Sequence, residues 1–328
     1  MKNRRAAQKE LNGVVGLLTL CKFLLVTVSI TLSSVLYFIL TKLYGENAWQ
    51  AYREFASYDT FSGVFLDITV SLICLLIPIC LYFFLSGKSF RETVPQDRPE
   101  WLQVGYGVGT TIVLGYGAAV VGQFLLSILF MIFGAEDKLN AMLSAETIYP
   151  THLILVPLFA LFLAIMPAFL EEFSMRGIVL SATKKFGILF SMLFNGFFFA
   201  FLHNSWTQPF FAFVIGIVLT YFTLRFKSIW IAVISHFVFN FNSVVMSLLQ
   251  QNGGTYGMLF SVLWIGMILV TMLGLMIAGI IIYGIKKPDL PKSEYTAKEK
   301  WGMVFRCPYV YIFVLLTIVQ LVYLLIIY

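Results

Sequence analysis

Two adjacent acids, two imidazoles and an amide stand in stretches that are otherwise apolar. Glu171 and Glu172 open the run EEFSMR, His203 closes FAFLH, and His236 opens HFVFN, which ends on Asn240. Ionisable groups inside such segments are costly to bury, so they mark function before packing. Each run also carries a pair at i and i+4, which a helix sets on one face: Glu172 with Arg176, Phe199 with His203, His236 with Asn240. If three helices bring these faces together, the groups required to activate a water are present. Hydrolysis of a peptide bond without a protein nucleophile needs a base for the water, donors for the developing oxyanion, and an acid for the leaving amine.

The roles divide by neighbourhood. Glu172 has Arg176 one turn on, in the order that favours an ion pair, so it is the structural acid. Glu171 is left to face a cavity as the base. His203 can share the water or carry its proton, because imidazole titrates near neutral pH. His236 and Asn240, stacked on one face, are suited to donate to an oxyanion. His203 and His236 with a glutamate would also serve zinc if a metal is present. There is no HExxH helix, and with Asn240 available protein groups can fill both roles. A mechanism that requires no cofactor is therefore preferred, with zinc as the alternative.

The elements that must position these groups are membrane helices. Of 328 residues, 60% are hydrophobic and only 12% charged, against roughly a quarter charged in an ordinary soluble domain. Apolar windows of about 20 residues predict an all-α, polytopic transmembrane bundle of about eight or nine spans, the short fifth and sixth (187–203 and 209–225) being the least defined. Residues 1–150 hold the N-terminal helices, 151–250 the helical core with the three motifs, and 251–328 the C-terminal helices. The stretch 285–307, with prolines and mixed charge, reads as a solvated cytoplasmic linker. With the N-terminus inside, most Lys and Arg residues fall on the cytoplasmic side, and only Lys42, Arg53 and Lys138 fall outside. The first apolar run reads as a retained signal anchor, and the ending LLIIY is not a prenylation box. The low charge suggests a bacterial plasma membrane. Four scattered cysteines, Cys21, Cys74, Cys80 and Cys307, fit neither a disulfide framework nor a zinc cluster. Dispersed basic residues give no nucleic-acid signature.

Depth supplies a check. Counting 1.5 Å per residue from the basic turns, Glu171 lies about 20 Å in, His203 about 27 Å, His236 about 14 Å and Asn240 about 20 Å, all within a core of about 30 Å. For His203 to meet Glu171, the fourth helix must end early, the fifth must tilt, or the residues near Ser181 to Phe186 must dip inward.

EExxxR followed by Gly177, then FxxxH, then HxxxN, in this order, resembles the CAAX protease and bacteriocin-processing enzyme family of intramembrane endopeptidases, which includes the type II CAAX prenyl endopeptidases. The resemblance covers about residues 150–245. It implies Glu171 as general base with His203, His236 with Asn240 as the oxyanion-stabilising pair, and Glu172, Arg176 and Phe199 in support. The implied partner is a membrane-associated protein or peptide substrate in the lipid bilayer. Blander readings stand beside this one: a structural ion-pair knot for the acids and Arg176, interhelical hydrogen bonds for each histidine, packing for Asn242, and snorkelling to the cytoplasmic surface for Lys22. At the level of the whole chain the alternatives are a non-catalytic scaffold or bacteriocin-immunity protein of the same fold, and a proton-coupled transporter. Against the transporter stands the lack of a repeat relating the two halves.

Overall fold

The computed structural model describes residues 3–57, 60–145, 152–252 and 254–327. The described residues form an all-α bundle, and their one β feature is an isolated bridge between Gln96 and Ser228. Among them, eight helices are long and apolar enough to cross a bilayer, and the chain is an integral membrane protein. We number the helices that matter here α1 (Arg4–Tyr44), α2 (Phe61–Ser86), α3 (Trp101–Ile132), α4 (Val156–Phe186), α5 (Ile188–Leu202), α6 (Pro209–Phe226), α7 (Ile229–Asn252), α8 (Gly257–Tyr283), α9 (Ala297–Phe305) and α10 (Pro308–Ile327). Large apolar side chains such as Phe84 on α2 and Ile281 on α8 point outward, as lipid-facing surfaces require.

The helix predicted as the fifth span is the exception to full length. At 15 residues, α5 rises about 22 Å, short of a hydrocarbon core of about 30 Å. Lys184 and Lys185 stand at its N-terminal end, and Lys185 pairs with Glu10 of α1, which also pairs with Lys88. A basic cluster belongs at the interface, so the end that stops inside the membrane is the one carrying His203. In the turn before α5, Phe186 is fully buried and packs at a tilt on Tyr295, with ring centroids 5.2 Å apart.

Residues 285–307 are more than a solvated linker. Thr296 and Glu299 form a reciprocal capping box that starts α9. Met303, Val304 and Cys307 are buried, and Trp301 packs on Phe190 at 5.2 Å. The segment thus lies over the turn before α5 and ties it to α1 through the Arg4–Glu299 ion pair.

The closest helix crossing in the site region is α5 against α6. A Cβ on Gly216 would lie 2.8 Å from Gly196 Cα, so only glycine allows this approach. All four cysteines are free.

Candidate active site

α4 is built with two wide turns. Residues Leu161–Ile165 and Phe173–Val179 run in π-helical geometry, flanking the short α-helical piece Met166–Glu172. Such turns shift the phase of the side chains that follow and gather at functional sites. Pro167 adds a further break: it has no N–H to offer the carbonyl four residues back, which is that of Leu163. Asn240 Nδ2 on α7 donates to that carbonyl at 3.1 Å. The third motif is thereby fastened to the segment just before the first.

Glu172 is completely buried and engaged from two sides. Arg176 Nη1 donates to its Oε1 at 2.9 Å, and His236 Nδ1 lies 2.8 Å from the same oxygen. Arg176 Nη2 donates to the Gly216 carbonyl on α6 at 3.2 Å, and its guanidinium lies over the Phe199 ring, 4.5 Å from the centroid. Phe199 also meets His203 and His236 edge-on, with ring centroids at 5.1 and 5.7 Å. One ring therefore touches the guanidinium and both imidazoles, and α4, α5, α6 and α7 meet around it. Glu172 Oε2 and Arg176 Nε are buried without a hydrogen-bond partner among the described residues.

Glu171, the next residue, points elsewhere. It lines a cavity of about 220 Å³ together with His203, Asn204, Leu163, Ser71 and Leu25. Adjacent helical residues lie about 100° apart, so one acid of the pair turns into the protein and the other into the cavity. His203 caps α5 in extended conformation, with ψ 133°. Its Nδ1 lies 2.8 Å from the Phe199 carbonyl, one of the last four carbonyls of α5. A carbonyl only accepts, so Nδ1 carries a proton, and in the neutral form of the ring Nε2 is the acceptor. In the same way Glu172, as a carboxylate, fixes the proton of His236 on Nδ1.

Every residue singled out in the three motifs is thus placed. Glu172, Arg176, Phe199 and His236 form the knot, Glu171 and His203 share the cavity, and Asn240 reaches the carbonyl of Leu163 in the cavity wall. Among the described residues, neither His236 nor Asn240 lines that cavity. Asn242, read as a packing group, accepts from Trp264 Nε1 at 2.6 Å and donates to the Tyr116 hydroxyl, joining α7 to α3 and α8.

Lys22 departs from the expectation. Instead of snorkelling outward it is 1% exposed, and its Nζ donates to Asn204 Oδ1 at 2.6 Å. Sequence reasoning missed both partners in this contact. The available signals were a lysine about 27 Å along α1 from Arg4, too deep to snorkel cheaply, and an amide directly after the motif histidine. No three His, Cys, Asp or Glu side chains among the described residues converge as a metal set. His236 Nδ1 faces Glu172, which leaves Nε2 as its other ring nitrogen.

With this geometry in view, comparison with known families is decisive for one segment. Residues 153–242 match the family described as type II CAAX prenyl endopeptidase Rce1-like. That segment is similar to Rce1-like proteins. No curated protein and no solved structure matches the chain. The Rce1-like segment spans α4 to most of α7 and includes every motif residue, while Lys22 and Leu25 on α1 lie outside it. The family is one of CAAX-type proteases, which act on peptide or protein substrates at a membrane.

Proposed function

We propose that the protein is an intramembrane endopeptidase in which Glu171 activates a water for attack on a peptide bond of a membrane-associated protein or peptide. The observation that carries this reading is the divergence of Glu171 from Glu172. One acid is consumed by Arg176 and His236, and the other shares a cavity with a histidine whose Nε2 is free. A scaffold has no need of a second, unconsumed carboxylate at this depth.

In the reaction, the water oxygen bonds to the carbonyl carbon as the Glu171 carboxylate takes one of its protons. His203 Nε2 accepts a hydrogen bond from the same water and orients it. The tetrahedral oxyanion collapses, the C–N bond breaks, and the proton held by Glu171 passes to the leaving amine. The products are a carboxylic acid and an amine, and no metal enters a step. Arg176 and Glu172 hold His236 and Phe199, and Phe199 in turn sets the His203 ring. Asn240 fastens the Leu163 wall. The N-terminus is assigned to the cytoplasm, with the Lys185, Lys88 and Glu10 cluster at that interface.

The test is cleavage of membrane peptides by purified protein in liposomes, one ending in a farnesylated Cys-aliphatic-aliphatic-X tail and one not prenylated. Glu171→Ala and His203→Ala are expected to abolish turnover, and a strong zinc chelator to leave wild-type turnover unchanged. Wild-type activity surviving in Glu171→Ala contradicts the assignment, and loss on chelation replaces the carboxylate mechanism with a metal one.

A further inference from the structure

A second cavity, of about 540 Å³, opens where the stretch before α9 crosses the start of α5. Three lysines line it: Lys287 and Lys292 from that stretch, and Lys300 from α9. Lys300 reaches furthest in, since a Cβ on Gly187 would lie 3.7 Å from its Nζ. No carboxylate lines this cavity. The other cation-rich cavities differ. The one beneath residues 91–97 sets Arg91, Lys184 and Lys227 against Glu92, Asp97 and Asp289, and the groove between α1 and α2 has Glu10 beside Lys9 and Lys88.

The nearest acids in sequence do not make up the difference. Glu299 is taken by Arg4 and by the cap of α9, and Glu294 is exposed and does not line the cavity. Among the described residues, none of the three lysines is in an ion pair. Ammonium groups gathered around one space repel one another, and an anion placed between them removes that cost. Burial pushes the Lys300 ammonium below its ordinary pKa, which favours a negative partner beside it further.

The apolar part of the wall indicates what carries the negative charge. Leu189 and Met192, three residues apart on α5, line the same cavity, and Leu189 is 70% exposed. They lie just inside the interface marked by Lys185 and its Glu10 partner, so the cavity has its cations at headgroup level and its apolar side toward the acyl chains. A soluble anion has no use for that side.

We propose that this cavity binds an anionic phospholipid, with the phosphate among Lys287, Lys292 and Lys300 and an acyl chain along Leu189 and Met192. The site lies partly outside the Rce1-like segment and goes beyond the proteolytic reading. Because α5 starts at this cavity and ends at His203, the bound lipid anchors the helix that carries the motif histidine.

The experiment uses full-length protein in a neutral detergent, with lipid binding read by native mass spectrometry and by melting temperature. The probes are phosphatidylglycerol, phosphatidylcholine with the same acyl chains, and glycerol phosphate as a headgroup without chains. Phosphatidylglycerol is expected to leave one persistent adduct and to raise the melting temperature, while the other two do neither. The triple variant Lys287→Gln/Lys292→Gln/Lys300→Gln is expected to bind phosphatidylglycerol about 100-fold more weakly, and Lys300→Gln alone about fivefold more weakly. The variant Lys9→Gln/Arg91→Gln/Lys298→Gln loses the same charge elsewhere on the protein and is expected to bind within about twofold of wild type. Melting without lipid shows whether each variant has folded, and Lys300→Gln carries the decision if the triple variant has not. Equal binding of phosphatidylcholine overturns the inference, and so does an equal loss in both triple variants, which means charge attraction without a site. Protection by glycerol phosphate as strong as by the lipid overturns the lipid assignment in favour of a soluble anion. No substrate enters the assay, so failure of the proteolytic reading leaves this result standing, and the reverse holds as well.

Discussion

Glu171 and Glu172 are chemically identical neighbours on one helix, yet one turns into a buried ion pair and the other into a cavity. Glu172 is completely buried against a guanidinium and an imidazole, in a knot that draws four helices together. Glu171 stands at a cavity with a histidine and an amide. The knot and the cavity are separated by little more than the Phe199 ring. A membrane site that must hold a reactive carboxylate needs rigid walls, and the first region supplies them for the second. The division follows from helix geometry, since adjacent residues cannot share a face.

The comparison can be sharpened from the side of the knot. Removing one partner of a buried ion pair strands the other, at a cost of about 3–5 kcal/mol. Arg176→Met should therefore destabilise the protein by about that amount, read by reversible unfolding in detergent, because Glu172 loses its cation while the volume is kept. An unfolding free energy within about 1 kcal/mol of wild type would mean that the knot is not what holds α4 to α6. A smaller effect is expected at its edge. Asn240→Ala removes one hydrogen bond, that to Leu163, and should cost about 1 kcal/mol in the same assay. A loss as large as that of Arg176→Met would shift the anchoring role from the ion pair to α7.

Much of this contrast is legible in the sequence, and what is not has identifiable causes. The i, i+4 spacing of Glu172 and Arg176 assigns one acid to a pair and frees the other. The three motifs, with the family resemblance, point to the segment that proves to be Rce1-like. The short fifth helix is also foreseeable, since its apolar window is narrow. Lys22 was misread because snorkelling is the usual fate of a lysine in a span, and only tertiary structure puts Asn204 within its reach. The contact of Asn240 with Leu163 is hidden for a similar reason. Pro167 advertises a carbonyl without its helical donor at Leu163, but nothing local says that α7 will meet it. The helical part of 285–307 was readable in principle: TAKE is a capping box, outweighed in the reading by the neighbouring prolines and charges.

The most direct measurement is the paired comparison of Glu171→Gln and Glu172→Gln, each followed by peptide turnover in liposomes and by unfolding in detergent. Neutralising the cavity acid should lower kcat by about 10²- to 10⁴-fold with stability near wild type, as expected for loss of a general base. Neutralising the knot acid should lower stability first, with turnover falling only as the fold is lost. If instead Glu171→Gln retains wild-type turnover and Glu172→Gln remains stable but inactive, the roles of the two carboxylates are reversed and the account is contradicted.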